Sequence, residues 1–323
     1  MCRPLGLEEA SIMKSRTLIL SLLLGTTAAA PAYAEMTFKR IAAFPVAENL
    51  PADADPATET SSEIIARSAD GKTLIYSDSP LGGVGIVDIS DPKAPKAGGA
   101  LSLDGEPTSV GVVGMKAIAA VNTSESYTNP SGNLAIIDMA ARTAEKSCDL
   151  GGQPDSVAIS ADQRFLAVAI ENERDEDLND GALPQMPAGD LKIFTLNDGT
   201  PDCASMKTVS LTGLAEIAPE DPEPEFVDFN DAGEIAVTLQ ENNHIAIVSA
   251  QTGEVISHFS AGTVSQKGID TLDNGAIAFD QAATDLKREP DAVKWLDDNR
   301  LVIANEGDYE GGSRSFSIFS KSG

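Results

Sequence analysis

The sequence runs to 323 residues, 42% of them apolar, with 50 acidic against 23 basic side chains and a formal net charge of −27. That apolar share supplies the core of one large β domain or two ordinary ones. The charge argues against nucleic acid and anionic membrane surfaces as partners and favours cations; a phosphorylated substrate would be repelled unless a bound metal reversed the field locally.

Lys14 and Arg16 form a positive n-region ahead of an apolar run over residues 17–30. Ala32-Tyr33-Ala34 then places small residues at the two cleavage positions. Residues 1–34 therefore read as a signal peptide, with Met13 a better start than Met1 and cleavage before Glu35. The run is shorter than the about 20 residues a membrane span needs, which disfavours an uncleaved anchor, and no other stretch could span a bilayer. The mature chain of about 290 residues is expected to be soluble and exported, periplasmic or extracellular. Cys2 is lost with the signal. Cys148 and Cys203 remain in an oxidising compartment, where a disulfide or two separate thiols both fit the sequence.

Residues 37–46 (TFKRIAAFPV) read as a strand, and 48–62, rich in Pro, Ala and Asp, as a loop. From there one plan recurs: strand, turn, strand, loop, strand. The first copy places strands at 62–66, 73–77 and 85–89, with a turn at Asp70-Gly71. The second has 108–112, 116–121 and 133–138; the third 156–159, 165–170 and 190–196; the fourth 226–229, 234–239 and 244–249. The fifth has apolar runs at 292–296 and 301–304 around Asp297-Asp298-Asn299, then 315–319. Segments 96–103, 145–150, 207–211 and 255–260 fit a fourth strand.

The copies begin near Glu63, Glu106, Asp155, Glu225 and Asp291, at steps of 43, 49, 70 and 66 residues. The first two suit a four-stranded propeller blade of about 40–50 residues, as in WD40- or YVTN-like repeats. The longer steps need insertions, placed at 172–189, 212–223 and 261–288. The expected fold is all-β, a β-propeller over 63–323 with about five blades visible, after an N-terminal strand and loop at 35–62. A β-sandwich, or a pair of them, is the rival. The fifth copy stops after its third strand. Either residues 37–46 supply the outer strand of a small closed ring, or, the preferred reading, the chain is the front part of a longer protein.

In a propeller the entry to the innermost strand and the exit of the second strand share a face. Acids stand at both spots. Entries carry Glu63, Glu106, Asp155, Glu225 and Asp291; exits carry Asp78, Glu171, Glu173, Glu241, Glu306 and Asp308, with Asn122, Asn172 and Asn242 alongside. Converging carboxylates and amide oxygens are what a hard divalent cation such as calcium takes, about six to eight at a time. Without a cation they would repel one another and raise their pKa values. For any one residue, a turn cap or a solvated acid is the simpler reading; the repetition is what points to metal. Residues 175–181 (DEDLNDG) resemble the start of a calcium loop, but Gly falls one place late and the twelfth position is Met186; a solvated acidic insertion fits equally.

Other chemistry is poorly supplied. His244 and His258 are the only histidines, too few for a histidine zinc site or a Ser-His-Asp triad. No nucleophile elbow or phosphate-binding loop is present. Arg314, after a glycine turn, is a candidate for holding a phosphate or carboxylate, although pairing with a nearby acid is the plainer role. Trp295 reads as core.

Three segments carry a family resemblance: Lys267-Gly268-Ile269-Asp270 with Asp273-Asn274-Gly275-Ala276-Ile277, Glu289-Pro290-Asp291-Ala292-Val293, and Ala304-Asn305-Glu306-Gly307-Asp308. Together they resemble the choice-of-anchor I family. These exported β-propellers are often labelled alkaline-phosphatase-like or esterase-like-phytase and are related to mesenchyme-specific cell-surface glycoproteins. A weaker pattern, Pro154-Asp155-Ser156-Val157 and Pro224-Glu225-Phe226-Val227, extends the likeness over about 60–320. The resemblance implies a propeller of the seven-bladed type and a calcium-dependent phosphoesterase. Family members usually continue well past the Asn-Glu-Gly-Asp segment, and this chain does not, which bears on any active site being complete. The expected function is an exported, metal-dependent phosphatase or phytase-like esterase. Calcium, or another divalent cation, would be held by Asp155, Glu171, Glu225, Glu241, Asp291, Glu306 and Asp308. Arg314 would contact a phosphorylated small molecule. The alternative is a non-catalytic, calcium-stabilised binding propeller at the cell surface or in the periplasm.

Overall fold

The computed structural model describes residues 38–55, 57–272, 274–310 and 312–322. The expected signal peptide and Thr37 lie outside the described residues, as do Asp273 of the family motif and Gly311 of the glycine turn.

The first sheet is β1 (Ile65–Arg67), β2 (Thr73–Asp78), β3 (Gly83–Asp88) and β4 (Lys96–Ser102), antiparallel in sequence order. The second is β5 (Glu106–Val113), β6 (Lys116–Asn122), β7 (Gly132–Asp138) and β8 (Thr143–Asp149). The third is β9 (Pro154–Ile159), β10 (Phe165–Ile170) and β11 (Asp190–Asn197), with short β12 (Thr200–Pro201) and β13 (Lys207–Ser210) both pairing with β11. The fourth is β14 (Pro224–Phe229), β15 (Glu234–Leu239), β16 (His244–Ser249) and β17 (Val255–Ser260). A separate hairpin, β18 (Thr263–Ile269) with β19 (Gln281–Lys287), precedes the fifth sheet: β20 (Pro290–Asp297), β21 (Arg300–Asn305) and β22 (Ser315–Ser320).

Alternation along each strand explains why the sheets stack as blades. Successive side chains point to opposite faces, and here each face meets a different neighbour. Ala117 and Ala119 of β6 join a core with Ile75, Val84 and Ile86 of the first blade. Ile118 and Ala120 of the same strand turn the other way, to Leu166, Val168 and Phe194 of the third. Ala167 and Ala169 of β10 then meet Val237, Ala246 and Val248, while Ala236 and Ile245 meet Val293, Leu301 and Ile303. Four cores thus fill the four gaps between five blades, and β10 is buried along its whole length. Each fully buried Ile or Leu contributes about 1.5–3 kcal/mol. Trp295 is half-buried and packs against the last of these cores. The fold is a β-propeller.

Three local expectations change. Residues 38–45 form no strand; a 3₁₀ turn, Val46–Asn49, follows Pro45 and docks Asn49 into the first blade. Asn49 donates to Tyr76 Oη at 2.9 Å and accepts from the Gly98 and Gly99 amides at 3.1 and 3.0 Å. The first strand is shorter than expected; ahead of Ile65, Ser77 Oγ and Asp78 Oδ1 accept from the Ile64 and Ser61 amides beside the remaining backbone bonds to Ser77. The insertion at 261–288 is not a plain loop but contains the hairpin β18–β19. Cys148 and Cys203 form a disulfide, tying β8 of the second blade to the turn after β12 of the third.

Candidate metal centre

The inner strands of the third, fourth and fifth blades each open with proline and then an acid: Pro154-Asp155, Pro224-Glu225 and Pro290-Asp291. Each proline pairs with the last residue of the returning strand, Ile170, Leu239 and Asn305 respectively. Proline has no N–H for the ladder, and in all three pairs the register slips directly after it. The resulting bulge turns the acid away from the pleat. Hydroxyls on the preceding blade brace that backbone: Ser156 Oγ donates to the Glu225 carbonyl at 2.6 Å, and Thr238 Oγ1 to the Asp291 carbonyl at 2.6 Å.

Asp155 and Glu171 of the third blade and Glu225 of the fourth bring one carboxylate oxygen each to within 4.8 Å of one another. Among the described residues, none of these three side chains accepts a hydrogen bond from the protein. All three are half-buried. Burial first, then the charges of Asp291 and Glu173, push the Asp155 carboxyl up to about 7. Burial, with Asp155 and Glu241 next, holds Glu171 well above the usual range. Burial, followed by Glu171 and Asp155, does the same to Glu225. Every charge shifting these three groups is another carboxylate.

Asp291 is raised by burial and by Glu306. Glu306 and Glu173 are oriented by amides, accepting from Gln240 Nε2 at 3.0 Å and Gln153 Nε2 at 3.1 Å. Two other expected ligands are engaged by Arg174, although the Glu241 charge still acts on Glu171 and Glu225. Glu241 is buried and accepts from Arg174 Nη1 at 2.6 Å, and Asp308 Oδ2 lies 3.7 Å from Arg174 Nη2. Glu63 and Glu106 are exposed on the first and second blades, and Glu63 takes a hydrogen bond from Ser79 Oγ.

The asparagines do not offer their oxygens to a cation. Asn172 Oδ1 accepts from the Gln153 amide at 2.9 Å, Asn242 Oδ1 from Glu223 at 3.0 Å, and Asn122 Oδ1 from Ser124 at 2.9 Å. Residues 175–181 close on themselves: Gln185 Nε2 donates to the Asp175 carbonyl and Asp175 Oδ1 accepts from the Asp177 amide. Arg314 is exposed and makes no ion pair among the described residues. It lines a cavity of about 810 Å³ with Ile269, Ile277 and Phe279 of the hairpin region, where none of the trio reaches.

Sequence reading missed Arg174 and Glu223. Arg174 is buried, with its guanidinium 5.1 Å from the centre of the Tyr309 ring. Glu223 is fully buried, 3.6 Å from Arg174 Nη1, and burial with the Glu241 charge pushes its carboxyl up to about 9. One signal was available: Arg174 is the only basic residue between Phe165 and Asp190.

Three converging carboxylates without donors, in an oxygen-only setting, fit a hard divalent cation of the calcium class; the lack of histidine or thiolate around them does not suit a softer metal.

A family model described as the choice-of-anchor I domain matches residues 63–315. No curated protein matches the sequence. Among solved structures, the chain is similar to Kuenenia stuttgartiensis hydrazine synthase at a TM-score of 0.53 and 12% identity, covering 80% of this chain and 70% of that one. It is also similar to a chain of a mitotic checkpoint complex at a TM-score of 0.52 and 12% identity, covering 83% and 63%. At such identities the likeness speaks for the fold alone.

Proposed function

The chain belongs to the choice-of-anchor I family, and from that premise we propose that it is an exported propeller whose axial mouth takes a divalent cation, calcium by its donor chemistry, and serves the hydrolysis of phosphate esters. The observation that carries this reading is the meeting of Asp155, Glu171 and Glu225 within 4.8 Å with no donor to satisfy them. These three would hold the ion, with Asp291 and Glu306 beside them. When bound, the cation supplies charge neutralisation at a phosphate oxygen and Lewis acidity toward water. The chain's own contribution is placement. The proline bulges aim the acids inward, Ser156 and Thr238 fix their backbone, and Gln153 and Gln240 orient Glu173 and Glu306.

A second reading has its own support. Arg174 is bonded to Glu241, and Arg314 lines another cavity. Among the described residues no lysine or arginine is among the charges acting on the trio, which favours a binding propeller in which the ion is purely structural. Calcium titration by calorimetry, with a chromogenic phosphate ester assayed in calcium and in chelator, separates the two. Calcium-dependent turnover that disappears in Asp155→Asn supports the first. Binding without turnover supports the second, and absence of binding ends both.

A further inference from the structure

Beside the mouth lies a second group of acids with a cation already inside it. Arg174 Nη1 is 2.6 Å from Glu241 Oε1 and 3.6 Å from Glu223 Oε2; Nη2 is 3.4 Å from Glu176 Oε1 and 3.7 Å from Asp308 Oδ2. The four carboxylates come from three blades or their loops. Glu223 and Glu241 form a buried floor, their side chains 1% and 3% exposed, while Glu176 and Asp308 form an open rim at 71% and 46%. The guanidinium is held in place by the Tyr309 ring, whose hydroxyl accepts from the Leu183 amide at 3.1 Å.

We infer that Arg174 is a tethered resident cation, filling a carboxylate cage that would otherwise take a second divalent ion, and so limits the mouth to one exchangeable ion. This rests on the cation-binding mouth proposed above for its count of one, while the second ion is tested at the cage's own residues, Arg174 and Glu223.

Two features support the assignment. Glu223 has both carboxylate oxygens, and Glu241 has Oε2, buried without a hydrogen-bond partner. Glu223 Oε2 faces Nη1 at 3.6 Å, too far for a hydrogen bond, so the planar fork of Arg174 leaves it unsatisfied, and a spherical ion with six to eight coordination positions would reach it. Arginine also stays protonated throughout the accessible pH range, so the cage is occupied under all conditions, whereas the trio of Asp155, Glu171 and Glu225 exchanges. A flexible guanidinium could swing out to meet substrate. This one is bonded on both Nη atoms and packed on an aromatic ring, so it stays.

The test is calcium stoichiometry by calorimetry on the whole protein and on Arg174→Met, Arg174→Lys and the double variant Arg174→Met with Glu223→Gln. One ion is expected for the parent, two for Arg174→Met, one for Arg174→Lys and one for the double variant. Leaving buried carboxylates unpaired destabilises strongly, so thermal melts accompany the titration. Arg174→Met is expected to melt lower than the parent in chelator and to recover with millimolar calcium, a rescue absent from the double variant. An Arg174→Met protein that binds no more ions than the parent, or fails to fold even in calcium, overturns the inference. A parent binding none with Arg174→Met binding one would sink the mouth reading and leave the cage standing. One ion in both would do the reverse.

Discussion

Asp155 carries an ordinary aspartate pKa of 3.8 when unfolded and about 7 in the folded mouth. Across that interval the native state binds the extra proton, so stability falls as pH rises. The contribution is fully present below pH 3.8 and is lost as pH passes through about 7. Glu171 and Glu225 are shifted in the same direction. In chelator the melting temperature is therefore expected to decline from pH 4 upward, and calcium, which binds the ionised carboxylates, is expected to cancel the decline near neutrality. At pH 8 in chelator, Asp155→Asn should melt about 1.5–2 °C above the parent if the relieved repulsion is worth about 1 kcal/mol. Melts across pH with and without calcium check both. A flat profile in chelator would mean the three carboxylates do not interact. At this scale the sequence was informative about residue type and silent about partners. It marked Glu241 and Asp308 as acids, but nothing local told that Arg174 would hold them.

Strands and turns were the most legible elements, because alternation and turn chemistry act over a few neighbouring residues. The bulge after each proline was not read, although Pro154, Pro224 and Pro290 mark it, and the bulge is what aims the acids. Asn172 shows the opposite error. Its oxygen suggested a ligand, yet it sits in the left-handed region at φ 56°, which asparagine tolerates better than most residues. There it accepts the Gln153 amide. The hydroxyl braces are elements of the same kind. Ser156 is 2% exposed, and its bond holds the carbonyl of Glu225. Ser156→Ala leaves that carbonyl unpaired and is expected to cost about 1–3 kcal/mol, with weaker calcium binding. Urea unfolding and calorimetry on the same variant would show it; a stability loss with calcium affinity unchanged would remove the brace from the site.

Among the described residues the blades are held by four inter-blade cores and one covalent staple between the second and third blades. Cys148 and Cys203 are 55 residues apart, and closing a loop of that length stabilises by about 4 kcal/mol on the chain-entropy model. Reduction, or Cys148→Ser with Cys203→Ser, is expected to lower the denaturant midpoint accordingly, while calcium affinity at the trio stays within about twofold, since the staple lies on outer strands. Matching denaturation curves with and without reductant would contradict this.

The sequence by itself determined the strands, the recurring blade plan and the acidic character of the entries and exits, since these follow from periodicity and residue type within short windows. Only the tertiary structure decided which acids meet. Asp155 and Glu225 stand 70 residues apart in the chain. Their approach depends on how one sheet stacks on the next, on a register slip at each proline, and on an arginine drawing Glu241 and Asp308 aside. Charge attraction and packing between blades act through space, so no local pattern records them.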